Sequence, residues 1–218
     1  MYAALIGTYT IGTNNANFQT ITQAVEALES GGVVGDVIFN IQDGIYEENI
    51  VITDILSSSA SNKITFQSLN QDSAAVTIKN AIASSNYIFT LDSTDNVELR
   101  YLTFEQTHNS SSCLKLDNRN ENININNCHF ISRNTAIRVD DFVDNLNIAD
   151  NSTIGGTYGF YDNSYNYSTN VTIENNEWVN QSSSAIYIRY YDSPVIQGNI
   201  ITVSGSTSTA INLTSVRN

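Results

Sequence analysis

A four-residue pattern (one polar residue, one apolar residue, any residue, one apolar residue) returns five times in this chain. The copies occupy residues 96–99, 122–125, 145–148, 170–173 and 193–196. Alternate residues of a strand point to opposite faces, so the two apolar residues of each copy share one side. One coil cannot bury this apolar edge alone, and stacking successive coils creates the core. The repeat therefore predicts an all-β fold, a single-stranded, right-handed parallel β-helix.

A second apolar strand follows each copy in the same phase, at residues 114–116, 137–139, 160–162, 186–188 and 211–213. Between the two strands, Asn151, Asn176 and Asn199 share one equivalent position, where we expect each side chain to bond the neighbouring coil. The residue before this position requires a left-handed backbone for a tight turn. These predicted turn residues are Tyr101, Asn127, Asp150, Asn175 and Gly198.

One amphipathic helix precedes the coils. Residues 18–28 carry apolar side chains on one helical face, and Gly31-Gly32 ends the pattern. We expect a helical cap at about residues 17–30, which covers the open top of the stack and blocks edge-to-edge aggregation.

The far end has no comparable cap. Asn218 stands where the next repeat is due, about one period after Ser193. We therefore expect residues 1–218 to form a single β-helix domain that is a piece of a longer protein, with further domains of the same chain as its neighbours. On this view, the lack of a visible signal peptide carries no information on secretion.

The charge and composition of the chain limit the classes of partner that we expect it to bind. The net charge is −13, from 22 acidic and 9 basic residues, and this argues against binding nucleic acid. No apolar run is long enough to insert into a membrane. An acidic, uncharged-polar surface fits an extracellular or cell-surface location. Cys113 and Cys128 both fall within the repeat, which favours two buried thiols over a disulfide but does not decide between them.

The N-terminal half resembles a known family. Residues 18–25 (FQTITQAV), 36–41 (DVIFNI) and 44–50 (GIYEENI) resemble the opening of carbohydrate esterases of the pectin methylesterase type. Later units such as 171–176 (VTIENN) resemble repeats of the wider pectin-lyase-like superfamily. The resemblance implies a right-handed parallel β-helix and, in that family, a sugar groove floored by the second strand of each coil.

The catalytic motifs of that family do not carry over. Ser112 stands where the family has a glutamine, and residues 133–136 offer no carboxylate where the family has its first acid. Gly159 stands in the place of the family's nucleophilic aspartate. The resemblance thus implies the fold and speaks against the esterase activity.

The outer face of the second strand is the candidate binding surface. Its outward positions, coil by coil, are Lys115 and Asp117, Arg138 and Asp140, Tyr161 and Asn163, and Tyr187 and Arg189. All except Asn163 are our predicted ligand-binding residues, because aromatic rings stack on sugars and charged groups bond hydroxyls or carboxylates. The competing interpretation is that the charged members only neutralise one another across the strands.

Tyrosines are concentrated near this face. The cluster comprises Tyr158, Tyr161, Tyr165, Tyr167, Tyr187, Tyr190 and Tyr191, and we expect it to occupy long loops on the same side. The alternative is that tyrosine is simply well tolerated on the exterior of a β-structure.

Three functions remain open. The first is a non-catalytic extracellular module that binds carbohydrate or mediates adhesion, with no cofactor and no metal site. The second is a polysaccharide-active enzyme: a pectin or polyuronate lyase with Ca²⁺, a glycoside hydrolase using Asp140 and Asp141, or a carbohydrate esterase. The third is a structural stalk. Whether any catalysis exists is not decided by the sequence, although the missing motifs favour the non-catalytic module.

Overall fold

A computed structural model describes residues 3–80, 87–106, 108–109, 112–162 and 164–217. Within them the chain winds as a parallel β-solenoid of about eight turns, whose successive coils contribute one strand each to three faces. Every pairing between the strands is parallel, as expected for a chain that always travels around the axis in one sense.

The faces are called sheets I, II and III, in the order in which each coil visits them. Sheet I contains β2 (Val33–Ile41), β5 (Ile64–Ser68), β8 (Val97–Arg100), β11 (Asn120–Asn126), β14 (Val143–Ala149), β17 (Ser168–Glu174) and β20 (Val195–Gln197). Sheet II contains β3 (Gly44–Glu47), β6 (Val76–Lys79), β9 (Thr103–Glu105), β12 (His129–Ile131), β15 (Ser152–Ile154), β18 (Glu177–Val179) and β21 (Ile200–Thr202). Sheet III contains β4 (Ile50–Ile52), β7 (Tyr87–Asp92), β10 (Ser112–Asp117), β13 (Thr135–Val139), β16 (Tyr158–Asp162), β19 (Ser184–Asp192) and β22 (Thr209–Arg217).

Apolar side chains form columns along the axis, as the repeat predicts. Leu99, Ile125, Ile148 and Ile173 are register partners in successive coils, and all four are fully buried. Aromatic residues extend the columns elsewhere: the ring centroids of Phe104 and its register partner on β12 stack 5.2 Å apart. The stacked columns are the core of the molecule, so the fold depends on the register between coils.

Left-handed residues turn the chain at the corner between sheets I and II. All five predicted positions have positive φ, between 52° and 65°: Tyr101, Asn127, Asp150, Asn175 and Gly198. A second row was not predicted. It consists of the first residue of each repeat copy, with φ between 47° and 60°: Asn96, Asn122, Asn145, Asn170 and Ser193. Six of these ten positions are asparagine, which tolerates this backbone better than most residues.

The predicted asparagine ladder is present beside the first row. Asn151 Nδ2 donates to Asn176 Oδ1 at 3.0 Å, and Asn176 Nδ2 donates to Asn199 Oδ1 at 3.0 Å. Each amide also reaches the backbone of an adjacent coil, for example from Asn176 Nδ2 to the carbonyl oxygen of Ile148 at 2.9 Å. The ladder therefore satisfies buried backbone groups at a turn where no strand partner is available.

The N-terminal cap has one more element than the sequence predicts. Helix α1 (Ile21–Gly31) begins three residues later than the apolar pattern, because Thr20 caps it by accepting from the Gln23 amide at 3.1 Å. Glu48, from the segment that resembles the esterase opening, accepts from the amides of the first helical turn at 3.0 and 2.8 Å. Strand β1 (Leu5–Ile11), which the sequence did not predict, pairs with β2 ahead of the first complete coil.

Both cysteines are free and buried, as the repeat favoured. Burial raises the pKa of each thiol to about 12, so neither is ionised at neutral pH. Among the described residues, no helix has the length and apolar character needed to span a membrane. Asn163 and Asn218, which entered the predictions above, lie outside the described residues.

Candidate functional site

Sheet III presents a row of long side chains on its outer face, one per coil. Lys115, Arg138, Tyr161 and Tyr187 are successive register partners on β10, β13, β16 and β19. We call this row, with the residues that contact it, the sheet III strip. It comprises Tyr87, Lys115, Asp117, Arg138, Asp140, Tyr158, Tyr161 and Tyr187. Since parallel register fixes the row, the predicted residues are brought together as the sequence indicates, except for Arg189.

The first half of the strip is an ion-pair network. Lys115 Nζ lies 2.6 Å from Asp117 Oδ2 and 3.1 Å from Asp140 Oδ2, and Arg138 Nε donates to Asp140. Burial alone would lower the pKa of Lys115, but its hydrogen bonds to Asp117 and Asp140 outweigh this and raise it. The competing interpretation of the sequence thus describes the charged residues correctly: they neutralise one another. Lys115 also lies 5.5 Å from the centroid of the Tyr87 ring.

The second half of the strip is an aromatic stack. The rings of Tyr161 and Tyr187 stack with centroids 5.1 Å apart, and Tyr158 lies 4.4 Å from Tyr161. The Arg138 guanidinium lies 5.6 Å from the Tyr161 ring and links the two halves. Burial raises the pKa of Tyr161, so its phenol remains a hydrogen-bond donor at neutral pH. These tyrosines lie on strands, so the expectation that they occupy long loops is wrong for them.

A separate group forms at the corner between sheets III and I. The Arg189 guanidinium contacts two rings, 4.6 Å from the centroid of Tyr165 and 4.9 Å from that of Tyr190. The Arg217 guanidinium lies 3.5 Å from the centroid of the Tyr167 ring. We call these five residues the corner cluster. Within it Tyr165 is 73% exposed, so it offers a ring edge and face to solvent.

Tyr191 belongs to neither group, contrary to the expectation that it joins an exposed cluster. It is fully buried, because Tyr190 adopts a left-handed backbone with φ 58° that reverses the in-out alternation of β19. Tyr191 lies near Asp162, which replaces an apolar residue in the interior column after Val139. Burial raises the pKa of Asp162 to about 6, partly offset by Tyr191 and by Ser164, whose amide donates to Asp162 Oδ1 at 2.7 Å.

The two acids named for hydrolysis have different surroundings. Asp140 is held in the ion-pair network, whereas Asp141 accepts from Asn166 Nδ2 of the next coil at 2.8 Å. A pair for glycoside hydrolysis needs one carboxyl kept protonated near neutral pH, and the carboxyl with the most raised pKa, Asp162, is inside the core. Across the described ranges, no three His, Cys, Asp or Glu side chains come together as metal ligands.

Position 159 is closed to a larger side chain. A Cβ on Gly159 would lie 2.4 Å from the Trp178 ring and 2.5 Å from the carbonyl oxygen of Ala185. A carboxylate at this position would therefore start inside the core and not on the strip.

One concavity lies away from the strip. A shallow groove of about 520 Å³ runs along the corner between sheets I and II and is lined by Tyr101, Asp150, Ser152 and Glu177 among others, with no residue of the strip. Ser152 hydrogen-bonds His129 Nδ1, and burial lowers the pKa of this histidine. The backbone amide of Ser152 is bonded within the coil stack, to the Cys128 carbonyl oxygen at 3.0 Å.

Sequence reasoning missed some contacts of the strip. Tyr87 was not among the predicted residues, and Tyr165 was not predicted to be the exposed ring. Tyr87 could have been found by extending the register one coil earlier, because β7, which precedes β10 in sheet III, begins at this residue. The signal for Tyr165 is its place in the segment between β16 and β17, where Tyr165 and Tyr167 alternate with polar residues.

Solved structures with the same fold are known. A pectin methylesterase in complex with a hexasaccharide superposes with a TM-score of 0.60 and 11% identity, over 95% of this chain and 68% of that chain. The protein YbhC of Escherichia coli gives 0.63 and 13%, over 94% and 67%. Pectin methylesterase PemA of Erwinia chrysanthemi gives 0.57 and 10%, over 95% and 68%.

The sequence matches no family model. No curated protein matches it. At the identities above, the structural likeness shows the fold alone. The right-handed parallel β-helix fold, predicted from the repeat and the resemblance, is confirmed.

Proposed function

We propose that this chain is a non-catalytic module that binds carbohydrate on the outer face of sheet III, within a larger secreted or cell-surface protein. The observation that carries the proposal is the sheet III strip. Its aromatic and charged side chains repeat once per coil, so they line up along the axis as a chain-like ligand requires. A polymer lying along the strip would meet an equivalent contact about every 5 Å, the spacing of neighbouring strands.

The stacking geometry specifies how a sugar would be held. One face of the Tyr161 ring meets Arg138 and another meets Tyr187, so a sugar over the stack contacts ring edges and phenol hydroxyls. The exposed ring of Tyr165, backed by Arg189, provides the stacking surface at the edge of the strip. Tyr165, Tyr187 and Arg189 are thus the residues that most directly support binding.

Two further observations support carbohydrate binding outside the cell. Structures of similar fold include two pectin methylesterases, one of them in complex with a hexasaccharide, so this type of solenoid accommodates sugar polymers. The acidic surface, rich in uncharged polar residues, suits exposure outside the cell. Adhesion through surface glycans is one form that such binding takes.

Glycan-array screening followed by calorimetry tests the proposal. We expect binding to at least one polysaccharide, and a loss of tenfold or more in affinity for Tyr165→Ala, Tyr187→Ala and Arg189→Ala. Tyr101→Asn is the matched control, since it removes a tyrosine at the corner between sheets I and II and places asparagine where neighbouring coils have it. If acidic and neutral glycans are all ignored, the binding function is wrong and the structural stalk takes its place.

The enzymatic alternative has one specific observation in its favour, the likeness to the two pectin methylesterases. It is tested by incubating the protein with pectin, alginate and related polymers, with and without Ca²⁺, and measuring released methanol, unsaturated ends and reducing ends. Turnover that vanishes in Asp140→Asn, and persists in the adjacent Asp141→Asn, would replace the non-catalytic proposal with an enzyme. We expect no turnover, with or without the ion.

A further inference from the structure

The cations of the sheet III strip are already paired with carboxylates of the strip. Each of its two cations is already bonded to carboxylates: Lys115 to Asp117 and Asp140, and Arg138 to Asp140. A carboxylate on a ligand would have to compete with these contacts, which are intramolecular and already in place. The pairs are partly shielded from water, so they are screened less than fully exposed ones.

A third carboxylate lies one coil before this network, beside the row. Asp92 is the register partner of Asp117 one coil earlier, and it accepts from Asn118 Nδ2 at 2.6 Å. Three acidic groups therefore accompany two basic groups over three consecutive coils, an excess of one negative charge. A glycan running along the strip passes over all of them, and the chain as a whole carries a net charge of −13.

The aromatic half of the strip is uncharged and rich in hydroxyls. Tyr158, Tyr161 and Tyr187 provide phenols that donate and accept hydrogen bonds, which suits the hydroxyl groups of neutral sugars. In the corner cluster, Arg189 contacts two tyrosine rings and Arg217 contacts a third, and both cations lie in later coils than the three carboxylates.

We infer that the strip selects uncharged glycans over glycans that carry uronate carboxylates. This inference rests on the proposed function. Its physical basis is that like charges facing one another across an interface oppose binding and thereby set specificity.

A matched ligand pair tests the inference: an oligogalacturonide and its fully methyl-esterified form, which share a backbone and differ in charge. Calorimetry is run at about 0.01 M and about 0.15 M salt, where the screening length is roughly 30 and 8 Å. We expect the neutral form to bind at least tenfold more tightly at low salt. Added salt should narrow the difference, by improving binding of the acid and leaving the neutral form unchanged.

A charge-removing variant identifies the origin of the effect. Asp92→Asn should improve binding of the acidic form about threefold or more and leave the neutral form as it is. Asp43→Asn, the same charge change at the corner between sheets I and II, should alter neither. Equal or tighter binding of the acidic form overturns the inference while upholding carbohydrate binding. Failure of both forms, and of the glycan array, overturns the proposed function and the inference with it.

Discussion

Asp162 makes the stability of this solenoid depend on pH in an unusual direction. Its carboxyl occupies an interior column position, fully buried, and burial raises its pKa from 3.8 to about 6. Most carboxylates that affect stability have a lowered pKa in the folded state, whereas this one binds its proton more tightly when the protein is folded. Protonation of Asp162 therefore favours the folded state.

The sign and the size of this pH dependence of the free energy of unfolding follow from proton linkage. Below about pH 4 the carboxyl is protonated in both the folded and the unfolded state, and its contribution to stability is complete. As pH rises from about 4 to about 6, the unfolded chain loses the proton first, so the free energy of unfolding falls. With roughly 2 pKa units between the states and about 1.4 kcal/mol per unit, the expected loss is about 3 kcal/mol by pH 7.

Urea denaturation of the wild type and Asp162→Asn from pH 4 to pH 8 measures this term. An amide stays neutral and still offers an oxygen to the Ser164 amide, so the variant should gain about 3 kcal/mol over the wild type at pH 7 and little at pH 4. The difference between the two profiles isolates this residue from other acids, and Asp54→Asn, an exposed carboxylate, should leave the profile of the wild type unchanged. A wild-type-minus-variant difference that is flat from pH 4 to pH 7 would refute the reasoning.

Three further predictions concern packing and exposure. Asn176→Ala should lower the free energy of unfolding by about 2 to 4 kcal/mol in urea titrations, because the Asn151 amide and the Ile148 carbonyl of the preceding coil both lose their bond to this side chain. Gly159→Ala should lower the free energy of unfolding by about 1 to 3 kcal/mol through the clash with the buried tryptophan ring. Gly205→Ala, at an exposed position where the new Cβ would lie 3.3 Å from the Ser208 hydroxyl and contact no backbone, should cost much less; thermal unfolding compares the two. Cys113 and Cys128 should resist a thiol reagent in the native protein and react fully in urea, as followed by mass spectrometry; rapid native labelling would contradict their burial.

Most of the fold can be predicted from the repeat, because every coil follows the same pattern of polar and apolar residues. Alternation fixes which side chains enter the columns, and the asparagine spacing fixes the ladder, so Ile125 and Asn176 could be placed without coordinates. Strand β1 escaped prediction because its burial does not alternate: only Leu5 and Ile11, its two ends, are buried. Its position comes from pairing with β2, and pairing partners outside the repeat leave no periodic signal.

Tyr191 was misplaced for a local reason. Simple alternation from Ile186 and Ile188 predicts that residue 190 points inward and residue 191 outward. One left-handed residue at a strand bend inverts this phase, and the bend occurs where β19 leaves sheet III to pair with β17 of sheet I. Corners of a solenoid are thus where strand periodicity fails, even when the flanking strands follow it.

For the strip, the register of the residues is visible in the sequence, whereas the contacts between their side chains are not. Register alone placed Lys115, Arg138, Tyr161 and Tyr187 in one row, yet it could not tell whether their functional groups were available. Availability depends on neighbours in three dimensions: Asp140 bonds both cations, and Tyr161 has neighbours on both sides along the row. The row that looked like a set of free ligand contacts is therefore a self-paired surface. Under the proposed function, ligand discrimination then depends on the excess negative charge and on exposed rings such as Tyr165, and both are properties of contacts and not of residue types.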